Sequence, residues 1–304
     1  MTVETVDIAD LDVIFLTYDE PKKEEFWIKI QNMVPWARRV DGVRGSDAAH
    51  KAAAAASETD RFVLIDGDNI PDPEFFSLQL TLDNSNRDCV FRYKARNIIN
   101  GLQYGNGGIS CWTKDFVNNM ETHEASKGDA ETCVEFCFHP KYLAMADCYS
   151  TTFPNGSPFQ AWRAGFREGV KMTLLDGVKV PPQEIKERIW WHNIHRLRMW
   201  STVGAHEENG NYAILGARMG TWMTNCTDWD YVQVRDFEIL GDIYERDVNH
   251  NSIEQDIQEL GIKLTHQLGL SWPYLDAAQS KYTLDLYEET INLGLTYYRM
   301  PNNV

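Results

Sequence analysis

The sequence lacks long hydrophobic runs, and it has fewer basic than acidic residues. None of its apolar stretches approaches the roughly 20 residues of a membrane-spanning helix, so we expect no membrane partner. Met1–Asp12 shows neither a basic start nor an apolar stretch, so we expect no signal peptide and a cytoplasmic protein. The formal net charge is −16. This charge argues against nucleic-acid binding over the whole surface but leaves room for a local basic groove.

Cysteine motifs and glycine-rich phosphate loops are also missing. The six cysteines form no C-x-x-C pair, so we expect reduced thiols and no zinc cluster. Thr17–Pro21, which follows the first predicted strand, matches neither G-x-G-x-x-G nor a Walker sequence. A dinucleotide-dependent dehydrogenase and a P-loop NTPase are therefore disfavoured. An enzyme that binds a nucleoside diphosphate without such a loop needs another way to neutralise the phosphate charge.

The amino-terminal part alternates strands and helices. Such alternation predicts an α/β fold with a mixed, mainly parallel sheet flanked by helices. The predicted strands are Leu11–Thr17, Trp36–Val40, Arg61–Ile65, Cys89–Arg96, Gly108–Trp112, Val134–Phe138 and Tyr142–Thr152, and the predicted helices are Glu20–Val34 with Asp19 as N-cap, Ser46–Ala56 with Ser46 as N-cap, and Ser157–Val170.

The rest of the chain is predicted to be mostly helical. Gln183–Val203 and Asn211–Met223 carry helical patterns, and acidic helices follow to the end. Pro181-Pro182 is the best boundary, which gives an α/β domain at 1–180 and a helical region at 181–304.

Two carboxylates follow the predicted strand Arg61–Ile65. Asp66 and Asp68, separated by Gly67, come directly after an apolar run, and burying acids there is costly unless a cation is near. Carboxylate oxygens suit Mg²⁺ or Mn²⁺, and ligands gather at the carboxyl ends of parallel strands. The alternative is an exposed Asp-Gly turn.

A set of short segments resembles the GT-A fold, DxD-type glycosyltransferases encoded by tailed bacteriophages. Some of these enzymes modify hydroxymethylated pyrimidines in DNA. The resemblance covers roughly the first two-thirds of the chain and does not place the acidic end after about residue 228. Its segments are Thr17-Tyr18-Asp19, Trp36–Val43, Ala49–Ala52, Asp66-Gly67-Asp68, Asn97–Gly108, Ser157-Pro158-Phe159 and Trp162–Glu168.

The resemblance implies a Rossmann-like GT-A domain with a nucleotide-sugar site, for which a UDP-sugar is the expected donor. Asp66 and Asp68 would approach Mn²⁺ or Mg²⁺. The Gly-rich loop Asn97–Gly108 would approach the sugar, and the alternative is a plain hairpin loop. His50 would lie near the nucleotide, and the alternative is a histidine that only packs on the sheet. The implied donor residues are Thr17, Tyr18, Asp19, Asp41, His50, Asp66, Gly67, Asn97, Asn100, Gly107 and Gly108.

A further metal ligand would come from late in the chain, often a histidine. His192 and His195 are three apart and would share one side of a helix, and His206 is another candidate. The alternative is a basic, half-buried helix face.

The catalytic base of an inverting transferase would be a carboxylate, with Asp147, Glu168 and Asp129 as candidates. A retaining reaction needs no such base. Arg163 and Arg167, four apart on one helix, would bind phosphates or join a salt-bridge network with Asp147 and Glu168.

The segment Lys186–Trp200 mixes basic and aromatic residues. Arg196 and Arg198 would contact acceptor phosphates, although a buried amphipathic helix is the favoured alternative for this segment by itself. The expected acceptor is 5-hydroxymethylcytosine, or another hydroxymethylpyrimidine, in DNA. Rival functions are transfer to a saccharide, lipid carrier or protein, sugar nucleotidyl transfer, and a catalytically silent binding module.

Overall fold

The computed structural model describes residues 3–120, 122, 137 and 139–292, except for the side chains of 105–107 and 292. Within it the chain divides into two compact units. The first comprises Met1–Ile98 and Leu102–Phe153, and the second comprises Ile99–Gly101 and Pro154–Val304.

The first unit is built on a mixed β-sheet. Among the described residues, seven strands pair in the order β3-β2-β4-β8-β7-β9-β5. Strands β2, β3, β4, β7 and β9 run in one direction, and β8 and β5 run against them. The elements are β1 (Glu4–Asp7), β2 (Asp12–Thr17), α1 (Lys23–Met33), β3 (Arg38–Asp41), α2 (Ser46–Ala56), β4 (Arg61–Asp66), β5 (Asn69–Pro71), β6 (Gln79–Leu82), β7 (Val90–Asn97), β8 (Gln103–Thr113), α3 (Lys114–Asn119) and β9 (Tyr142–Thr152). The predicted α/β class with a mixed sheet is confirmed, but the sheet is not mainly parallel: of its six described strand pairings, three are parallel and three are antiparallel.

Alternating apolar side chains of the strands cover both faces of this sheet. Phe15 on β2 points to the face that holds Phe26 of α1, whereas its neighbour Ile14 points to the face that holds Ala53 of α2. Residues two apart in a strand share a face, so one apolar run supplies both cores. The two helices are thereby fixed on opposite sides, and the polar loops gather at the strand ends.

Several boundaries differ from the prediction. Helix α1 starts at Lys23, later than predicted, and its N-cap is Lys22 instead of Asp19. Helix α2 has the predicted bounds, but its N-cap is Gly45, whose φ of 93° places Ser46 in the first helical position.

The predicted loop Asn97–Gly108 is mostly strand. Strand β7 continues to Asn97, a tight turn closed by the Asn97 N–H and the Leu102 carbonyl (2.9 Å) follows, and β8 already begins at Gln103. Pairing with β7 overrides the low β-propensity of Gly and Asn, because the neighbouring backbone supplies hydrogen bonds whatever the side chains are. The predicted strand Val134–Phe138 lies outside the described residues, apart from Cys137.

The second unit is mainly helical, as predicted. Its elements are α4 (Pro158–Lys171), β10 (Leu174–Leu175), β11 (Val178–Lys179), α5 (Ile185–Arg188), α6 (Trp191–Thr202), α7 (Gly210–Cys226), α8 (Phe237–Asp247), α9 (Ile253–Leu268) and α10 (Ala277–Asn292). The single helix predicted at Gln183–Val203 is wrong, because Ile189 and Trp190 have non-helical backbone that separates α5 from α6. No helix in the described ranges has the length and apolar composition needed to cross a membrane.

Helices α4 and α7 touch through glycines on both sides. A Cβ added at Gly165 would lie 2.0 Å from the Ala213 carbonyl oxygen, and one at Gly216 would lie 2.1 Å from the Trp162 carbonyl oxygen. Only hydrogen side chains let two helix backbones approach this closely. Because α4 is bound to α7 in this way, it belongs to the second unit, and the division falls after Phe153 instead of at Pro181-Pro182.

Arg218 on α7 is fully buried in the second unit. Its guanidinium donates to the carbonyl oxygens of Ser201, Ile257 and Pro273 at 2.6–2.9 Å. Burial lowers the pKa of Arg218 to about 10, so the side chain stays charged at neutral pH. These bonds tie α6, α9 and the segment before α10 to α7.

Substitution of Gly216 by alanine tests the helix contact. We expect Gly216→Ala to lower the free energy of unfolding by about 1–3 kcal/mol or more, because the added methyl overlaps a backbone carbonyl. Gly241→Ala in α8 is the matched control. Apart from the local backbone of α8 itself, no described atom lies within 4 Å of the added Cβ, and we expect a gain of roughly 0.5–1 kcal/mol. Urea unfolding followed by circular dichroism measures the free energy of unfolding of both variants. Equal values for Gly216→Ala and Gly241→Ala would contradict the close contact between α4 and α7.

Candidate functional site

The carboxyl ends of β2, β3 and β4 bring three predicted site residues to one edge. Thr17 at the end of β2 is in register with Asp41 at the end of β3, and Leu16 is in register with Asp66 at the end of β4. The strands are parallel, so their last residues meet at the same edge. Thr17, Asp41 and Asp66 are therefore neighbours across this edge although they are far apart in the chain.

Thr17 and Asp41 form a fixed polar pair. The Thr17 hydroxyl donates to Asp41 Oδ1 (2.7 Å) and accepts from Arg39 Nε (2.9 Å), while Lys23 Nζ binds the same Asp41 oxygen at 2.7 Å. The hydrogen bond from Lys23, then that from Thr17, lowers the pKa of Asp41, so this carboxylate is ionised at neutral pH. Sequence reasoning missed Lys23 and Arg39, since their predicted positions gave no reason to expect contact with Asp41.

Tyr18 and Asp19 continue from this pair into the loop after β2. Both are exposed, with Tyr18 at 46% exposure. The Tyr18 N–H donates to Glu20 Oε2 (2.7 Å), and its carbonyl accepts from Lys23 Nζ (2.6 Å). An aromatic ring with its backbone held on both sides is available to a planar ligand at this edge.

Gly67 is needed for space at the turn between Asp66 and Asp68. A Cβ at Gly67 would lie 2.7 Å from Glu20 Oε2 and 3.0 Å from Thr17 Cγ2. Its φ is not positive, so close approach of Glu20 explains the glycine better than left-handed backbone does. Glu20 is thus a third acid at the Asp66/Asp68 turn, and sequence reasoning did not single it out.

The Asp66 carboxyl group is surrounded by protein at a turn that holds like charges. Burial, and after it the like charges of Asp68 and Glu20, together raise the pKa of Asp66 to about 8. Asp68 is fixed through its backbone, because its carbonyl accepts from the Phe153 N–H at 2.7 Å. A cation placed among these acids would reverse the electrostatic cost.

Gly108 of β8 lies against the same turn. Strand β8 pairs with β4, and Gly108 has a φ of +73°. A Cβ at Gly108 would lie 2.5 Å from Nδ2 of Asn69, the fully buried residue that follows Asp68. The structure therefore places Gly108, and Gly107 before it in the strand, beside the turn Asp66-Gly67-Asp68, which is called the DGD turn below.

Asn97, Asn100 and His50 are buried. Asn97 ends β7, and Asn100 lies in the turn that belongs to the second unit. His50 Nδ1 donates to the Ser46 carbonyl oxygen (2.8 Å), and its ring meets the Trp112 ring edge-on at 5.3 Å. These contacts favour the packing alternative for His50, and its role near a nucleotide stays a prediction.

The three histidines predicted as candidate metal ligands, His192, His195 and His206, all lie in the second unit. His195 stacks on Tyr287 of α10 with ring centroids 5.7 Å apart, and burial together with Arg198 and Arg196 lowers its pKa to about 4. His192 stacks on Trp190, and His206 Nδ1 is hydrogen-bonded to Ser280 Oγ (2.9 Å). His195 and His206 therefore have structural contacts, and metal ligation by any of the three stays a prediction.

The cations predicted to bind an acceptor have different surroundings. Arg163 lies over the Phe237 and Phe159 rings at 4.3 and 5.4 Å, and Arg167 lies over Phe237 at 5.2 Å. Shared stacking on Phe237 accounts for two cations on one helix face without any phosphate.

The arginines of α6 are placed differently. Arg196 donates to Asn193 Oδ1 (3.1 Å), and Arg198 is exposed. The role of Arg196 and Arg198 in acceptor binding stays a prediction.

The candidate catalytic bases belong to different units. Asp147 is exposed on β9 in the first unit, and Glu168 lies on α4 in the second, with Lys171 Nζ 3.6 Å from its carboxylate. Neither geometry selects a base, and Asp129 lies outside the described residues.

No group of three or more His, Cys, Asp or Glu side chains within the described ranges is arranged to hold a metal ion. The described cysteines, which are Cys89, Cys111, Cys137, Cys148 and Cys226, are free thiols, as predicted. The described side chains by themselves therefore do not form a complete metal site, and metal binding at the turn Asp66-Gly67-Asp68 stays a prediction.

Comparison with known proteins yields no match: no family model, no curated protein and no solved structure matches this chain. Function is therefore inferred from the chemistry at the sheet edge.

Asp66→Asn tests the electrostatic cost at this edge. The pKa of Asp66 is higher in the folded protein than in the unfolded chain. Between pH 4 and 8 the folded protein therefore holds a proton on Asp66 that the unfolded chain has lost. The free energy of unfolding falls as the pH rises through this window. We expect Asp66→Asn to be more stable than wild type in metal-free buffer, with a difference that grows from pH 4 to pH 8. Thermal unfolding at several pH values measures this, and a constant or opposite difference would rule out a raised Asp66 pKa.

Proposed function

We propose that the protein is a metal-dependent, GT-A-like glycosyltransferase that moves a sugar from a nucleotide-sugar donor, expected to be a UDP-sugar, to a hydroxyl acceptor. The observation that carries the proposal is the crowding of Asp66, Asp68 and Glu20 at the carboxyl edge of parallel strands, beside the Thr17–Asp41 pair and Gly108. Support comes from the chemistry of the residues and from the sequence resemblance.

The donor set at the DGD turn fits a hard divalent cation. Asp66 and Asp68 offer carboxylate oxygens, which Mg²⁺ and Mn²⁺ prefer, and the buried acid lacks the stabilisation that a cation would provide. Mg²⁺ is commonly held by one or two carboxylates together with substrate phosphates, so a complete protein cage is not required. The bound ion would neutralise the charge that grows on the departing diphosphate.

The remaining edge residues match the parts of a nucleotide. Tyr18 offers an exposed ring for the base, and the ionised Asp41, fixed by Thr17 and Lys23, offers an acceptor for ribose hydroxyls. Gly108 keeps backbone close to the DGD turn, where a side chain would block a sugar. We therefore propose that the base and ribose bind at the ends of β2 and β3 and that the diphosphate binds near the end of β4, beside β8.

In the proposed reaction the bond between the anomeric carbon and the diphosphate oxygen breaks, and its electron pair stays with the diphosphate. A new bond forms between the anomeric carbon and the acceptor oxygen, whose proton is lost to a base. Asp147 and Glu168 remain the proposed bases for an inverting course. The proposed acceptor is a hydroxymethylpyrimidine in DNA, with Arg196 and Arg198 as phosphate contacts, because the phage resemblance and the basic segment of α6 point the same way.

Donor binding is tested by titrating UDP into the protein with and without Mn²⁺ in a calorimeter. We expect binding only with Mn²⁺, and we expect Asp68→Asn to weaken it at least tenfold, since a ligand to the ion is lost. Asp60→Asn is the matched control, because Asp60 precedes the opposite end of the same strand β4. Equal binding with and without Mn²⁺, or full binding by Asp68→Asn, would refute the metal site.

Acceptor identity is tested by incubating the protein, Mn²⁺ and a set of nucleotide sugars with hydroxymethylated or ordinary DNA. Nucleoside mass spectrometry should show the mass of one added sugar only on the hydroxymethylated pyrimidine. Transfer to a saccharide, lipid or protein acceptor instead would overturn the DNA assignment and keep the glycosyltransferase one. If the protein instead forms a sugar nucleotide and pyrophosphate from a nucleoside triphosphate and a sugar phosphate, the glycosyltransferase assignment would be replaced by sugar nucleotidyl transfer.

A further inference from the structure

Two adjacent tryptophans at the start of α6 are exposed. Trp190 is 53% and Trp191 is 43% exposed, whereas Trp200 on the same helix is buried. The expectation that this segment hides its tryptophans in a core therefore holds for Trp200 and fails for the first two. Large aromatic side chains exposed side by side are typical of binding surfaces.

The orientation of the Trp190 ring is restricted. It lies nearly parallel to the His192 ring, with an interplanar angle of 10° and centroids 6.3 Å apart. Its Nε1–H points to Asp176 Oδ1 at 3.5 Å. A ring already ordered in the free protein loses little conformational entropy when a planar ligand stacks on it.

One cation, Arg198, shares the helix face of Trp191. Trp191 and the exposed Arg198 are seven residues apart in α6, so they lie on one face about 10 Å from each other. Between them is His195, whose ring stacks on Tyr287 and extends the aromatic row. An aromatic row flanked by a cation is the combination that binds a strand of unpaired nucleotides.

The charge of this segment is opposite to that of the chain. Residues 186–198 contain four cations, Lys186, Arg188, Arg196 and Arg198, and one acid, Glu187, whereas the whole chain carries −16. Arg188 is paired with Glu184 at 3.0 Å, whereas the side chain of Arg198 is exposed. A local cationic surface on an acidic protein selects a polyanion over a neutral polymer such as a saccharide.

We infer that Trp190 and Trp191, with Arg198, form a surface that binds single-stranded DNA by stacking unpaired bases and contacting phosphates. The choice of DNA as the polymer rests on the proposed function, since a base modified within a duplex must leave the stack to be reached. Binding at this surface is nevertheless measurable without any sugar transfer.

The test uses fluorescence anisotropy of a labelled oligothymidylate longer than about 16 nucleotides, titrated with the full-length protein. We expect Trp190→Ala and Trp191→Ala each to weaken binding about tenfold, through loss of one stacked base. Arg198→Ala should lower the slope of log affinity against log salt by about 0.7, as expected for one phosphate contact to a single strand.

Trp36→Ala is the matched control. Trp36 is 45% exposed, similar to Trp191, but it lies outside the basic segment and in the first unit. We expect this variant to bind the oligonucleotide as wild type does, and circular dichroism should show that all variants fold. Unchanged affinity in both Trp190→Ala and Trp191→Ala, or an equal loss in Trp36→Ala, would overturn the inference, as would tighter binding of a neutral oligosaccharide that depends on the same tryptophans.

Calorimetry of UDP with Mn²⁺ on the same variants separates this inference from the proposed function. Loss of oligonucleotide binding in the tryptophan variants with unchanged UDP binding supports the surface as a distinct site. Oligonucleotide binding by a wild-type protein that does not bind UDP with Mn²⁺ would overturn the donor site and leave the DNA surface supported.

Discussion

Parallel pairing of β3, β2 and β4 is the constraint on which the candidate site depends. It aligns the ends of strands that are separated by whole helices in the chain, and so it brings Thr17, Asp41 and Asp66 to one edge. The same pairing buries the strands on both faces, since α1 and α2 cover opposite sides. Polar side chains can then collect only where the strands end, and there they face one another at short range.

The two sides of this edge are electrostatically different. Around Asp41, Lys23 and Arg39 neutralise the carboxylate and hold it in place. Around Asp66, the neighbours Asp68 and Glu20 are acids, and the protein supports the charge poorly. The proposal that a divalent cation and a nucleotide diphosphate bind here rests on this electrostatic difference between Asp66 and Asp41.

The second unit depends on steric fit and one buried cation. Glycines such as Gly165 and Gly216 let α4 and α7 meet at backbone distance, and Arg218 joins the surrounding segments through carbonyl acceptors. This packing leaves the start of α6 at the surface, where Trp190 and Trp191 stand among cations. These exposed tryptophans and cations, on a chain of acidic composition, are the basis of the proposed single-stranded DNA surface.

The succession β2-α1-β3-α2-β4 in the first unit was predicted from the sequence alone, because runs of alternating and continuous apolar residues have the period of the elements they form. The short elements β1, β5, β6 and α3 were not predicted. Three features were predicted from the residues of their own segments: the helix Ser46–Ala56, the strand Tyr142–Thr152 and the acidic turn Asp66-Gly67-Asp68.

Only the tertiary structure decided which distant residues meet. The approach of Glu20 to Gly67 and the pairing that turned Gln103–Gly108 into strand depend on neighbours from other parts of the chain. The exposure of Trp190 was likewise decided by packing, since an aromatic–basic pattern is compatible with a buried or an exposed face. Local sequence specifies hydrophobic period, whereas contacts between elements are set by backbone pairing and close packing that no single segment encodes.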